Sequence, residues 1–247
     1  MTHNLVTLSE FGEPFPKCPQ PAEVLARCSL FENVSQVSKD ELVSESHLAY
    51  ADRGESLWTE NSPSRFFVVV GNGIVGISHL TFNKIEVTID VLGPGSFGGL
   101  HLSDPDARFT TTATSYSNLW YLKIPNHVWT QVSQGESFLQ ERLYREILTK
   151  MRRRIDLLAG LLTGNQEQRI GMVLSTLSDQ FPDQPSGRKA RIPLTLQGLA
   201  DLTKTDPATA KTILSRWNVF SGPNYLRIDH PDDFLARVSQ NSAATSL

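Results

Sequence analysis

The chain has 247 residues, with 23 Lys+Arg against 26 Asp+Glu and 39% hydrophobic residues, and a mean hydropathy of −0.23. That length suffices for one large domain or two smaller ones with a sizeable core, and no apolar run approaches the roughly 18 residues of a membrane helix. Cys18 and Cys28 are too few for a disulfide framework or a four-thiolate metal site. The N-terminus, MTHNLVTLSEFGEPF, has no basic region leading into an apolar run, so no secretory signal is expected and the cytoplasm is the expected location. Residues 1–125 carry a net −6 and residues 126–247 a net +3. An acidic half joined to a mildly basic half fits a sensor tied to a polyanion-binding module, and equally two solvated faces of unequal sign.

Residues 1–20, with Pro14, Pro16 and Pro19, read as an irregular arm. From Pro21 the spacing of Val24, Leu25, Cys28 and Phe31 is helical, and a second short helix is expected over 38–48 with Ser38 as its cap. From Ala49 to Ile124 the period changes to short β-branched and aromatic runs: 56–59, 65–70, 73–79, 86–92, 110–115 and 119–124. Turn signals such as Gly71-Asn72-Gly73 and Gly93-Pro94-Gly95 separate them. With no helix long enough for crossovers, this is a small antiparallel barrel or sandwich.

Beyond Pro125 the chain is expected to be helical. Tyr144, Leu148, Met151, Ile155, Leu158 and Leu162 step by four and three residues, the 3.5-residue seam of paired helices. Burial of one long helix along its own chain is the alternative; the small barrel offers little surface for so long a seam, which favours a dimer helix. Arg142, Arg145, Lys150, Arg152, Arg153 and Arg154 lie on its other faces. Thr163-Gly164-Asn165 breaks the helix and marks a domain boundary. A helix is expected over 166–181, followed by a polar loop over 182–191.

Residues 194–217 read LTLQGLADLTKTDPATAKTILSRW. Leu196, Leu199, Ala200 and Leu202 make one short amphipathic helix; Asp206 can cap a second, with Pro207 at its first position. Two such helices joined by about three residues form a helix-turn-helix, whose second helix enters the major groove of DNA. Its outer face offers Thr209, Lys211, Thr212, Ser215 and Arg216, with Lys189 nearby in sequence. Tyr225 to Ile228, after a Gly-Pro turn, reads as the strand of a wing. Plain packing of a helical hairpin is the competing account of this segment.

The order of these parts resembles the cyclic-AMP receptor and fumarate–nitrate regulator (CRP/FNR) family over nearly the whole chain. Arg53-Gly54-Glu55-Ser56-Leu57, Phe67 to Val75, and Leu92-Gly93-Pro94-Gly95-Ser96-Phe97-Gly98 are similar to successive motifs of that family's sensor domain. The resemblance implies an α+β fold. Residues 1–20 are an arm, 21–132 an effector-binding β-roll (a jelly roll like that of cyclic-nucleotide-binding domains), 133–163 a dimerisation helix, and 164–247 a winged helix-turn-helix domain. It further implies a homodimeric transcription regulator on palindromic double-stranded DNA, with RNA polymerase as partner and a small molecule as possible effector. The implied effector pocket comprises Phe97, Gly98, Gly99, Leu100, Arg108, Phe109 and Thr110.

The departures from the family are specific. Gly99 stands where nucleotide-binding members place a glutamate for the ribose, so cyclic AMP is not the expected effector. Arg108 either meets an anion or faces solvent beside Asp104 and Asp106; Phe97 and Phe109 could close the pocket. The iron–sulfur branch needs more thiolates than this chain has. In the haem-binding branch the axial histidine would correspond to His101. Pro207 and Ala208 occupy the start of the recognition helix where many members carry an arginine, and Lys204 stands at the family's turn glycine. No cofactor and no metal are expected. A ligand-binding regulator with a degenerate DNA-binding domain is the alternative function. No nucleophile elbow, zinc-protease or phosphate-loop motif is present, so no enzyme is expected.

Overall fold

The computed structural model describes residues 18–100, 106–178, 180–181, 190–231, 234 and 236. Pro21 sits in the first turn of helix α1 (Pro21–Arg27), and the Glu23 carboxylate accepts the Gln20 backbone N–H at 3.1 Å. A 3₁₀ turn, Ser29–Phe31, leads to α2 (Gln36–Glu45). Ser35, not Ser38, is the cap of α2: its hydroxyl accepts the Ser38 N–H at 3.3 Å. Ser38 instead donates its hydroxyl proton to Glu136 at 2.9 Å. The expected helical extension to residue 48 is also corrected. His47 and Leu48 open strand β1 (His47–Ala51), whose antiparallel pairing to a long central strand satisfies backbone groups that another helical turn would have used.

Strands β2 (Ser56–Trp58), β3 (Phe66–Asn72), β4 (Val75–Leu80), β5 (Glu86–Leu92), β6 (Phe97–Gly98), β7 (Thr112–Ser115) and β8 (Leu119–Pro125) complete two antiparallel sheets, ordered β1-β8-β3-β6 and β2-β7-β4-β5. Strand β3 is apolar on both faces because both are covered. Phe67 and Val69 turn toward the helices, and Val68 and Val70 toward the other sheet. Two-residue β6 is too short to leave a periodic signal.

Helix α3 (Asn126–Gly135) stops at Glu136, and α4 (Ser137–Thr163) begins only there. The long helix therefore starts four residues later than the expected 133. The Glu136 side chain accepts the Ser35 N–H at 3.0 Å. Its hydrogen bonds from Ser35 and Ser38 hold the carboxyl below its usual range.

Helix α5 (Gln166–Ser178) ends earlier than the expected 181. There follow β9 (Ala190–Ile192), α6 (Leu196–Thr203), α7 (Pro207–Arg216), β10 (Val219–Ser221) and β11 (Leu226–Ile228), with sheet order β10-β11-β9. Strand β9 lies at the end of the expected loop over 182–191, and residues 182–189 of that loop lie outside the described residues, as does the arm over 1–17. The helices and this small sheet share one apolar core. Ile74 and Val91, both from the roll, are buried in it beside Leu157, Leu174, Leu199 and Leu202. The C-terminal unit is thus docked onto the roll through continuous hydrophobic packing, in which each buried aliphatic side chain contributes about 1.5–3 kcal/mol.

Candidate nucleic-acid interface and effector site

Thr195 caps α6 by accepting the Gly198 N–H at 2.9 Å, and the helix buries Leu199, Ala200 and Leu202. Lys204 ends it in the left-handed region (φ +50°), the conformation that favours glycine. Arg169, on α5, donates to the Lys204 carbonyl at 3.3 Å and so braces the turn from behind. Asp206 then caps α7 by accepting the Thr209 N–H at 2.9 Å.

Helix α7 buries Ala210, Ile213 and Leu214. Lys211, Thr212, Ser215 and Arg216 are exposed and Thr209 is half-buried. The Thr212 and Ser215 hydroxyls donate back to the Ala208 and Lys211 carbonyls at 3.0 and 2.9 Å, which leaves their oxygens able to accept. Arg216 is ion-paired with Glu167 at 2.8 Å. The pair joins the last turn of α7 to the first turn of α5, where each charge complements a helix dipole. Lys211 has no carboxylate partner among the described residues. Lys189 lies outside the described residues.

Hydrogen bonds from the Thr209 hydroxyl and backbone N–H hold the Asp206 carboxyl below its ordinary 3.8. With the folded value depressed, its contribution to stability is complete above the unfolded value and is lost as pH falls through the folded one. Acidification below about pH 4 should therefore loosen the N-terminus of α7. Asp206→Asn keeps a good cap but cannot titrate, so its thermal midpoint should fall less steeply with acid than that of the wild type. Parallel midpoint–pH profiles would refute the assignment.

In the roll, Trp58 and Phe109 stack with centroids 4.8 Å apart and an interplanar angle of 16°, and Phe66 meets Phe109 edge-on at 5.5 Å. Both stacked residues are buried, Trp58 to 5% and Phe109 to 1% exposure. Gly99 has φ +79°, and a Cβ placed there would stand 3.0 Å from the Phe109 ring and 3.3 Å from Trp58. At Gly98 a Cβ would come within 2.8 Å of Leu92. The space faced by Gly99 is filled by aromatic carbon, and that faced by Gly98 by the Leu92 side chain with Trp58 behind it.

Of the expected pocket residues, Phe97 and Leu100 pack into the other cluster, beside the helices, while Arg108 and Thr110 are exposed. Arg108 does not meet a buried anion site: its guanidinium donates to the Asn61 carbonyl at 2.7 Å. Among the described residues around Gly99 there is neither a carboxylate nor an inward guanidinium for a cyclic nucleotide, and the Trp58 and Phe109 rings stand against Gly99. His101, the candidate haem ligand, lies outside the described residues.

Two connections run from this region to the rest of the chain. Lys150 and Arg154, which the sequence places on faces of the long helix other than the seam, reach inward from α4. The Lys150 ammonium donates to the Phe97 carbonyl and stands 4.0 Å over the Phe97 ring. Burial pushes its pKa down, against the pull of Asp90. Arg154 pairs with Asp90 at 2.7 Å. Just beyond α5, the Gln180 amide oxygen accepts the Gly93 N–H and, at 3.1 Å, the Ser96 hydroxyl. Its amide nitrogen donates to Thr176 at 3.0 Å and to Val91 at 3.4 Å. Two of the four bonds of this side chain tie the Gly93–Ser96 turn to the C-terminal unit, a third reaches Val91 on β5, and the fourth returns to α5. Neither Gln180, Arg169 nor Trp58 stands out in the sequence; polar spacing does not reveal which distant backbone a side chain will reach.

The seam residues of α4 form an open stripe: Tyr144, Leu148, Met151, Ile155 and Leu162 are exposed and Leu158 is partly so. Leu139, Leu143 and Leu157 bury the opposite stripe against the same chain. A cleft of about 400 Å³ between α3 and α4, lined by Trp129, Ser133, Gln140, Leu143 and Tyr144 among others, opens at one end of the stripe.

Residues 49–135 match the family model of the cyclic nucleotide-binding domain. A CRP-like cAMP-activated global transcriptional regulator of Mycobacterium tuberculosis is 24% identical over 195 residues, covering 78% of this chain and 87% of that protein. Over most of its length the chain is thus similar to a CRP-like regulator. The architecture agrees. FixK2 from Bradyrhizobium japonicum superposes with a TM-score of 0.63 at 15% identity, covering 79% of this chain and 96% of that one. A CRP-family transcriptional regulator from Thermus thermophilus does so at 0.56 and 16%, covering 79% and 96%. The fold is thus the CRP/FNR type, with its N-terminal roll and helical C-terminal part. The Mycobacterium tuberculosis and Thermus thermophilus proteins are transcriptional regulators. No helix among the described residues is long and apolar enough to cross a membrane.

Proposed function

We propose that this CRP-like regulator acts as a homodimer on palindromic double-stranded DNA and that its effector is not cyclic AMP. One observation carries the proposal: α7 spends its apolar side on its own core and leaves Lys211, Thr212 and Ser215 exposed, on a capped helix braced from behind. A recognition helix needs that division, because its outer face must meet base edges and phosphates without loss of packing. The open stripe on α4 supplies the second half. Joined along it, two chains present two reading helices to half-sites about one helical turn apart, roughly 34–36 Å. Lys211, Thr209, Thr212 and Ser215 are the contacts; Arg216 acts first by holding α7 to α5. The stacked Trp58 and Phe109 support an effector other than a cyclic nucleotide, or none. RNA polymerase is the downstream partner this role implies.

The test is selection of bound duplexes from a random library by gel shift, with purified protein and no added effector. A palindromic consensus is expected, and Lys211→Ala should weaken binding to it by about 1–3 kcal/mol. If no consensus emerges, with or without cyclic nucleotides or haem, the chain is a regulator whose helix-turn-helix is degenerate, and the proposal falls.

A further inference from the structure

Helices α3 and α4 are joined directly at Glu136, and the cleft between them holds about 400 Å³. That lies within the range of small-molecule sites, roughly 300–1,000 Å³. The buried lining residues, Trp129 and Leu143, form its floor, and the more exposed Tyr144 and Ile147 stand at its open side. Among the described residues no charged side chain lines it.

The Trp129 ring is fixed by the core. Phe31 and Phe67 meet it edge-on, with centroids 6.1 and 6.0 Å away, and the residue is only 2% exposed. A tryptophan buried to this degree ordinarily gives its N–H a partner. The indole N–H of Trp129 donates to no acceptor among the described residues, yet it is not fully enclosed. The cleft that Trp129 lines is where a partner can reach it. Ser133, also buried, donates its hydroxyl proton to the Thr130 carbonyl at 3.1 Å, which leaves its oxygen able to accept.

These features select a ligand chemistry. A charged group would be desolvated against Trp129 and Leu143 with no counter-ion in the lining, at a large cost, so the ligand is uncharged. A planar ring matches the aromatic and aliphatic floor, and an acceptor on its edge satisfies the Trp129 N–H. The cleft also meets the open stripe of α4: Tyr144 belongs to both, and Ile147 directly precedes Leu148 of the stripe.

We propose that the α3–α4 cleft binds an uncharged aromatic molecule bearing a hydrogen-bond acceptor, and that a second copy paired along α4 closes the site over it. The closure rests on the dimer proposed above; the ligand site does not. Because ligand and second copy meet the same Tyr144 and Ile147, each strengthens the binding of the other, as linkage requires.

The experiment uses the full-length protein with isotope-labelled tryptophan, in which four indole N–H resonances report separately. Three probes of related shape are titrated. Quinoline carries a ring-nitrogen acceptor, naphthalene lacks it, and a quinoline carboxylate adds a charge. Quinoline should move the Trp129 resonance saturably and leave those of Trp58, Trp120 and Trp217 in place. Naphthalene should bind roughly three- to tenfold more weakly, the value of one net hydrogen bond, and the carboxylate should not bind measurably. In Trp129→Phe the preference for quinoline over naphthalene should vanish, which a general loosening of the fold would not produce. Sedimentation velocity then reads the coupling. Quinoline should tighten the wild-type dimer, and the variant Met151→Glu/Ile155→Glu should bind quinoline less tightly than wild type does.

If no probe moves the Trp129 resonance, or quinoline moves all four tryptophans alike, the site is overturned whatever the oligomeric state. If quinoline moves Trp129 while wild type stays monomeric throughout, the dimer and the closure fail and the ligand site stands. A wild-type dimer that quinoline binds but leaves unchanged in strength overturns the closure alone.

Discussion

Replacing Met151 and Ile155 together by glutamate should yield a folded monomer that has lost specific DNA binding. Both side chains stand in the open stripe of α4, 53% and 63% exposed, so in the separate chain the glutamates are solvated and the thermal midpoint should hardly move. In a symmetric dimer joined along this helix the same positions face their own copies. Each glutamate would then be buried near a like charge, a cost of several kcal/mol per ion. Loss of the second reading helix removes the gain from linked half-sites, and affinity for the palindrome should fall by roughly 10²–10⁴-fold. Sedimentation velocity gives the oligomeric state and gel shift gives the affinity. A double variant that remains dimeric would place the interface elsewhere on the chain.

Phe109→Ala should cost about 3–5 kcal/mol of stability. The ring is fully buried, stacked on Trp58 and touched edge-on by Phe66, so its removal leaves a cavity whose remaining walls are also aromatic. For a chain of this size each kcal/mol corresponds to about 2–4 °C in thermal midpoint, and the drop should be plain in a calorimetric scan. The companion measurement adds cyclic AMP to the wild type. A ligand at a hundred times its Kd stabilises by about 2.7 kcal/mol, and here no rise is expected at millimolar nucleotide. A neutral Phe109→Ala, or a clear rise with cyclic AMP, would mean that the ring is a gate that swings aside and not a permanent filling.

The architecture was largely legible because it is written in local periodicities. The alternation of strands, the 3.5-residue step from Tyr144 to Leu162, and the Asp206-Pro207 start of α7 each follow from neighbouring residues alone. The helix-turn-helix appears where the spacing of Leu199, Leu202, Ala210 and Leu214 puts it, with Lys204 adopting the left-handed turn that a glycine would otherwise take. The errors fall where a distant partner outweighed a local signal. Leu48 left its expected helix because β8 offered a ladder, and Ser38 gave up the cap to Ser35 while its own hydroxyl turned to Glu136. Lys150 and Arg154 look like surface cations in a heptad, yet both point into the roll, where Phe97 and Asp90 receive them.

The site divides in the same way. The exposed residues of α7 could be named from the outer face of one amphipathic helix, since exposure on a helix follows from its period. That Arg216 is held by Glu167 could not, because the partner lies on another helix 49 residues away. Whether the space beside Gly99 is empty or full was equally out of reach. Gly99 marks a missing carboxylate, but only the packed roll brings Trp58 and Phe109 together across it. Period, capping and turn chemistry are short-range, and they determined which elements form and in what order. Which charges are spent inside the molecule, and whether a cavity is open or filled, depends on contacts between residues far apart in the chain, and the tertiary structure alone decided them.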